Sequence, residues 1–358
     1  MNKILIICKA QFGYHTDIYK WCEYLRDEYN VEVITFDGNP KVAIDGVTVH
    51  YVSNIGSRTL RGIRYILKCL WHLMFYKGVI MVCYFRECRL LKWFLPWKKM
   101  ILDIRTLDVS NNKEIRQKED SLIIKATKLY DFVTIISEGL RQKISLSIDK
   151  SAILPLGADV VSTTKKSYDS IRMLYVGTLF NRDVYKTIHG LAIVLARNQS
   201  LDIHYDIVGD SHGNELNEIK QLVIDYGLED YVTLHGYIQH SQLKTFFDKC
   251  NIGVSFVPMT EYYEYQPVTK SFEYILSGLY TLATNTYSNK EIITEANGYL
   301  INDTAESVAE GIEYIINNKT KLNSIAICRS LRNYQWKNIL DYKLKPILKK
   351  YQKNEKSF

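Results

Sequence analysis

Residues 172–182 read RMLYVGTLFNR. A short β-prone run at 173–176 ends at Gly177, a brief loop carries Arg182, and a helical pattern follows over 184–196. A glycine at a strand end, then a cation at a helix start, lets backbone N–H groups and charge hold an anion such as a diphosphate. The same alternation recurs on both sides. Upstream, β-rich runs at 4–8, 31–36, 47–52, 79–84, 100–103, 132–136 and 152–154 are separated by amphipathic stretches such as 17–28 and 121–130. Downstream, runs at 203–208, 232–234, 252–256 and 280–284 repeat the scheme. Strands alternating with helices predict parallel sheets with helices on both faces. A chain of 358 residues accommodates two such α/β domains. The polar, aperiodic stretch 157–170 is where the linker is expected. In doubly wound sheets ligands sit beyond the carboxyl ends of the strands, so the loops after the strands are where chemistry is sought.

Composition narrows the classes. The chain is 47% hydrophobic and 24% charged, with 6 prolines, which excludes a disordered or low-complexity protein. No 18-residue uncharged apolar run occurs, so no ordinary transmembrane helix is predicted. The opening MNKILIICKAQFG has an apolar run too short for a signal-peptide core and reads as a buried first strand. The 7 cysteines are scattered without a CxxC pair or a Cys/His cluster, so a disulfide framework and a structural zinc site are not expected, and a cytoplasmic setting is.

The charge is lopsided. Residues 1–160 hold 24 Lys+Arg against 17 Asp+Glu, a balance of +7, while residues 161–358 hold 22 of each. Within 57–105 there are 11 basic and 2 acidic residues. Such asymmetry predicts an anionic partner for the first half. Residues 59–77 read as one helix, with an apolar stripe (Leu60, Ile63, Leu67, Leu70, Met74) and a basic stripe (Arg61, Arg64, Lys68, His72). Tyr65, Trp71 and Phe75 lie on or beside the basic stripe, and KWFLPWKKM at 92–100 places more aromatics among cations. That mixture suits an anionic membrane surface at the inner face of the cell membrane. The competing reading is an ordinary solvated basic face on a core helix. Nucleic acid is not expected as a partner, since no nucleic-acid module is present.

Further motifs follow. The first loop, QFGYHTD at 11–17, offers Gly13 for close backbone approach to a donor phosphate. GxGxxG is absent, which disfavours an NAD-binding domain. The second half continues with YDIVGD (205–210), YVTLHGYIQHSQL (231–243), CNIGVSFVP (250–258) and QPVTKSFEYILSGLYTLATN (266–285).

In this order the motifs resemble the retaining glycosyltransferases of family 4, which have the GT-B fold. The resemblance runs through most of the chain and is densest from 153 to 285. LPLGAD (154–159) is similar to the family's domain junction and VTIISEGLRQ (133–142) to the strand and helix before it. VGTLFNR is similar to the phosphate loop, HGYI, which contains Tyr237, to the loop near the nucleotide base, and KSFEYILSG to the glutamate-bearing helix. The resemblance implies two Rossmann-like doubly wound domains facing a central cleft. It implies that Glu273 binds the ribose hydroxyls, that Arg182 binds the donor diphosphate, and that Gly177, Thr178 and Lys270 lie at the same site. The family often has a basic residue where this chain has Thr178. It also has a first glutamate eight positions before the second, where this chain has Tyr265. Glu264 is the candidate for that catalytic position and Glu261 its rival. On the acceptor side, MILDIRTLDVS (100–110) supplies Asp103, to orient or deprotonate an acceptor hydroxyl, and Arg105, to bind an acceptor phosphate or carboxylate. An internal Asp–Arg pair that orders the loop is the alternative for both. His15 is a further acceptor-side candidate.

No DxD, HExxH or GxSxG occurs, so neither a metal nor another cofactor is expected. The expected layout is an acceptor- and membrane-facing domain over 1–160, a nucleotide-sugar domain over 161–333, and a basic C-terminal helix and tail over 334–358 packing back on the first domain. The expected activity is transfer of a sugar from a nucleotide-diphosphate donor to a glycan or lipid-linked acceptor in envelope polysaccharide or lipopolysaccharide synthesis. The alternatives are a non-catalytic membrane- or partner-binding protein of the same fold, or a nucleotide-sugar epimerase or hydrolase.

Overall fold

The computed structural model describes residues 2–39, 41–110 and 112–353. The chain divides into two compact units, one made of Met1–Leu156 with Trp336–Phe358, the other of Gly157–Gln335.

In the first unit, β1 (Asn2–Ile7), β2 (Tyr29–Phe36), β3 (Val47–Val52), β4 (Val79–Cys83), β5 (Ile101–Ile104), β6 (Phe132–Ile135) and β7 (Ser151–Ile153) form one sheet. Its order is β3-β2-β1-β4-β5-β6-β7 and every pairing is parallel. Helices α1 (Thr16–Leu25), α2 (Arg58–Phe75), α3 (Arg89–Phe94), α4 (Lys113–Thr127) and α5 (Glu138–Lys143) fall between the strands. β4 is buried at every position, as a central strand covered on both faces must be.

Helix α2 turns its two faces the other way from the simple expectation. Tyr65, Ile66, Cys69 and Leu73 are its buried residues. The predicted apolar stripe lies largely outside, with Leu60, Ile63, Leu67 and Met74 exposed beside Trp71 and Phe75. The inner face is held by polar contacts as well: Tyr65 donates to the Ile34 carbonyl at 3.1 Å, and Glu32 Oε2 lies 3.0 Å from His50 Nε2 and 3.1 Å from His72 Nε2.

In the second unit, β8 (Ile171–Val176), β9 (Ile203–Val208), β10 (Val232–Gly236), β11 (Ile252–Ser255), β12 (Tyr280–Thr284) and β13 (Gly298–Ile301) give the order β10-β9-β8-β11-β12-β13, again all parallel. Between and after them come α6 (Tyr185–Arg197), α7 (Glu215–Asp225), α8 (Lys244–Lys249), α9 (Thr269–Leu276), α10 (Tyr287–Lys290), α11 (Ala305–Asn318) and α12 (Ser324–Ser330). The direction of winding reverses between β8 and β11, which makes their carboxyl ends the place for a ligand.

The stretch 157–170 is not a free linker. It is strapped to the second unit: Ser162 donates to Asp248 at 2.6 Å, the Val161 N–H donates to Ser277 at 3.0 Å, and Tyr168 donates to the Gly278 carbonyl at 2.8 Å. Its polar side chains find partners in the surface they cross, which sequence periodicity does not reveal.

The chain ends in α13 (Trp336–Ile339), a π-helical turn (Leu340–Leu344) and α14 (Lys345–Lys353). Trp336, Ile339, Leu340, Leu344 and Leu348 are buried, and Lys345 pairs with Glu28 in the same unit.

Candidate functional site

Two adjoining cavities lie at the reversal point of the second unit. The smaller, about 260 Å³, is lined by Gly177, Thr178, Arg182, Gln266, Thr269 and Lys270 among others. The larger, about 610 Å³, includes Gly209, Asp210, Tyr237, Ile238, His240 and Leu243. Val176, Gly177 and Thr178 line both, so the loop after β8 is their shared wall.

That wall depends on backbone packing against backbone. A Cβ on Gly209 would stand 1.9 Å from the Gly177 carbonyl oxygen, so only glycine lets the loops after β8 and β9 meet. Arg182 follows at the end of this loop, flanked by Asn181 and Asp183, whose φ angles of 55° and 51° are left-handed. Such angles in non-glycine residues cost roughly 1 kcal/mol or more each and cluster at ligand sites. The guanidinium group of Arg182 lies 4.4 Å from the centre of the Tyr263 ring. It has no ion-pair partner among the described residues.

Helix α9 is held against the sheet by its own side chains. The Val176 N–H donates to the Tyr274 hydroxyl at 2.8 Å, and Ser255 and Ser271 hydroxyls meet at 2.7 Å. A Cβ on Gly253 would come within 2.2 Å of the Tyr274 ring, so the absence of a side chain there lets α9 settle close to β11.

Fixed in this way, α9 presents Lys270 and Glu273 one turn apart. Glu273 is 6% exposed. Lys270 donates to Oε2 of Glu273, and His240 Nε2 lies 3.4 Å from Oε1. Lys270 lines the smaller cavity and His240 the larger, while the Glu273 carboxylate lines neither and is joined to them through these two partners. Burial alone would raise its pKa, but the hydrogen bonds and positive charge of His240 and Lys270 outweigh burial and hold it below the usual carboxylate range. Glu273 is therefore an acceptor-only group at neutral pH, and its two partners line, one each, a pocket with two cations and a pocket with an aromatic and aliphatic lining.

Residues 162–328 match the family model described as Glycosyl transferases group 1. The matched residues lie within the second unit. No curated protein matches the sequence. Solved structures match along nearly the whole chain. Sucrose-phosphate synthase from Thermosynechococcus elongatus aligns with a TM-score of 0.74 at 17% identity, over 98% of this chain and 99% of that one. HepE from Anabaena, in complex with UDP and glucose, aligns with a TM-score of 0.74 at 14% identity, over 97% and 99%. The lipopolysaccharide outer core galactosyltransferase WaaB gives 0.74 at 14%, over 97% and 99%. The fold is thus the GT-B arrangement of two Rossmann-like units.

Within the matched stretch, Gly177, Thr178, Arg182, Tyr237 and Lys270 all line the cavities, and Glu273, which lines neither, is held by Lys270 of one and His240 of the other. Glu264 does not join them. Its carboxylate accepts the Tyr287 N–H at 3.0 Å and its carbonyl accepts the Ser288 N–H at 3.0 Å, so it is engaged at the start of α10. Glu261 is exposed and is not among the lining residues. His240 and Gly209 were absent from the sequence-derived site. The only hints were a histidine three residues after Tyr237 and a glycine closing a β-run.

The first unit corrects one acceptor-side expectation outright. Asp103 is completely buried on β5, so it cannot touch an acceptor. One oxygen accepts from Thr134 at 2.6 Å and lies 3.9 Å from Arg105, and the other has no hydrogen-bond partner. Burial pushes its pKa up to about 6, against the opposing pull of Arg105. Arg105 is engaged too: it pairs with Asp17 at 2.5 Å and donates to the Leu154 carbonyl at 2.6 Å. The Asp–Arg pair orders the strand ends. His15 is exposed at the N-cap of α1 with no capping hydrogen bond. Gly13 adopts a φ of 91°, and its missing Cβ leaves room for Val42. Among the described residues one group has the donor atoms for a metal ion, Glu32 with His50 and His72, and it belongs to the first unit and not to the cavities of the second.

Proposed function

We propose that this protein is a retaining hexosyltransferase that moves a sugar from a nucleoside-diphosphate donor to a glycan or lipid-linked acceptor of the cell envelope. The observation that carries the proposal is the buried Glu273 carboxylate, held on one oxygen by Lys270 of a cationic cavity and on the other by His240 of a less polar one. A ribose fits that carboxylate chemically, because its two neighbouring hydroxyls can both donate to it. The base then occupies the larger cavity against Tyr237 and Ile238. The diphosphate occupies the smaller one, where Arg182, Lys270 and the N–H groups after Gly177 meet it. UDP is the first nucleotide to test, since HepE has been solved with it.

In the proposed reaction the acceptor hydroxyl attacks the anomeric carbon from the face the diphosphate leaves, which retains configuration. The bond from that carbon to the diphosphate oxygen breaks, an oxygen of the departing diphosphate takes the acceptor hydroxyl's proton, and Arg182 and Lys270 stabilise the charge the leaving group gains. No metal enters this scheme. The first unit supplies the acceptor side and rests on the inner face of the membrane. Support for that comes from its exposed Trp71, Phe75, Trp93 and Trp97 and from the excess of basic residues around them. No helix among the described residues is long and apolar enough to cross a membrane. The setting in envelope synthesis draws on the likeness to WaaB.

Titration calorimetry with UDP, GDP, dTDP and CMP on the wild type and on Glu273→Ala tests the donor site. Binding of one nucleoside diphosphate that is lost in the variant is the expected result, and binding of none rejects the proposal. A non-catalytic reading rests on one observation, the engagement of Glu264 by α10. Release of nucleotide from a bound nucleotide-sugar, with sugar appearing on an acceptor, decides against it.

A further inference from the structure

The first unit has a two-part cavity that the site above does not use. At the carboxyl ends of β1 and β2, a polar cavity of about 500 Å³ is lined by Lys9, Gln11, Asp37, Asn54, Arg58 and Arg61. A groove of about 510 Å³ continues from it between α2 and α3, lined mainly by Ile63, Ile66, Leu67, Leu70, Leu90 and Phe94. Arg58 and Gly62 line both, so the polar cavity and the apolar groove are continuous.

We infer that this pair of cavities binds a phosphorylated lipid, with the phosphate at Arg58 and Arg61 and one hydrocarbon chain along the groove. The inference rests on the transferase reading for its purpose, since such a lipid would be the acceptor or carry it. Charge supports the occupant. Of the carboxylates at hand, Asp37 is paired with Lys41 at 3.3 Å and Glu87 with Lys9 at 2.6 Å. Arg58 and Arg61 have no ion-pair partner among the described residues, and Arg61 is held by the neutral Asn54 at 2.9 Å. Two unneutralised guanidinium groups at one end of an apolar groove match a phosphate joined to a chain. Length agrees as well. From Arg58 to Leu70 the helix advances about 18 Å at 1.5 Å per residue, enough for a chain of about a dozen carbons. Beyond Leu70 stand Trp71, Met74 and Phe75, all exposed, where a longer chain would pass into a membrane.

Gly62 makes the inference testable without unfolding the protein. A Cβ there meets nothing within 4 Å, so Gly62→Leu can project into the junction of the two cavities while leaving the core untouched. The probe is dodecyl phosphate below its micelle concentration, compared with decyl and octyl phosphate, dodecanol and inorganic phosphate, by calorimetry on the full chain. Wild type should bind dodecyl phosphate most tightly, gaining roughly fourfold per buried methylene. Gly62→Leu, and separately the double variant Arg58→Ala/Arg61→Ala, should each weaken it at least tenfold while UDP affinity stays the same. The double variant should also lose the preference for dodecyl phosphate over dodecanol. The inference is overturned if wild type does not bind the probe, or if Gly62→Leu binds it as wild type does. It is also overturned if Gly62→Leu loses binding to anionic vesicles in equal measure, which would make the groove only part of a membrane face. Absence of UDP binding alongside intact dodecyl phosphate binding would reject the donor reading and leave the lipid site standing.

Discussion

Asp103 in the first unit and Glu273 in the second are both buried carboxylates with a cation beside them, yet they stand in opposite electrostatic conditions. Asp103 has one oxygen without a partner and an arginine at 3.9 Å that is already shared with Asp17 and the Leu154 carbonyl, and its pKa rises. Glu273 receives Lys270 and His240 on its two oxygens, and its pKa falls. The partners differ in what they face. Those of Asp103 belong to the ends of its own sheet, whereas Lys270 and His240 each line an open cavity. A buried charge thus becomes a candidate ligand group only where its neighbours reach solvent-filled space, and a shifted pKa alone does not separate the two cases.

The contrast makes predictions of decreasing size. Glu273→Ala removes two charge-assisted hydrogen bonds to the ribose and should weaken nucleoside diphosphate binding about a hundredfold, at roughly 1.5 kcal/mol each. Asp103→Asn, by comparison, should leave nucleotide affinity unchanged, measured in the same titrations. An equal loss in both variants would erase the distinction.

The second test concerns pH. Unfolded, Asp103 gives up its proton near pH 4. Folded, it holds the proton until about pH 6. Between these values the folded chain binds the proton that the unfolded chain has released. The contribution of Asp103 therefore falls as pH rises through this window, by about 3 kcal/mol at 1.36 kcal/mol per unit. Denaturant melts at pH 4 and pH 7 should show the wild type losing stability relative to Asp103→Asn across the interval. No relative change would mean the carboxyl is already ionised at pH 4 in the fold.

A third test separates phosphate from nucleoside. Arg182→Ala should weaken UDP binding about tenfold, the loss of one hydrogen bond to a charged group, and leave uridine binding as it was. The smallest effect is expected on α2. Leu67→Gln should change stability by less than about 0.5 kcal/mol, as an exposed position does, whereas Leu73→Ala should cost about 2–5 kcal/mol as a buried leucine. Chemical denaturation of the two variants checks this, and equal costs would place the outer stripe in the core.

Part of the cavity lining of the second unit was legible because its information is local. Gly177 and Arg182 lie on one strand-loop-helix passage, so their spacing brings them together, whereas Lys270 and Glu273 were indicated by the family resemblance. His240 and Gly209 were not legible, because their importance comes from meeting Glu273 and Gly177 across separate elements. Glu264 stood near the right place in sequence, but the free N–H groups of α10 took its oxygens. Helix α2 is the clearest limit. Periodicity identified its stripes but could not say which one faces the sheet, and the contacts of Tyr65, His72 and Cys69 turned the larger apolar stripe outward.

By itself, the sequence determined two parallel α/β units and a glycine at a strand end followed by Arg182, while the family resemblance pointed to the carboxylate on the helix after β11. The first two follow from local propensity and hydrophobic period. Only the tertiary structure decided that Asp103 is sealed, that Glu273 is bound by one lining residue of each cavity, and that α2 keeps its apolar side free. The reason is that burial and charge pairing are set by whichever residues of distant segments arrive beside a group, and no spacing within one segment contains that information.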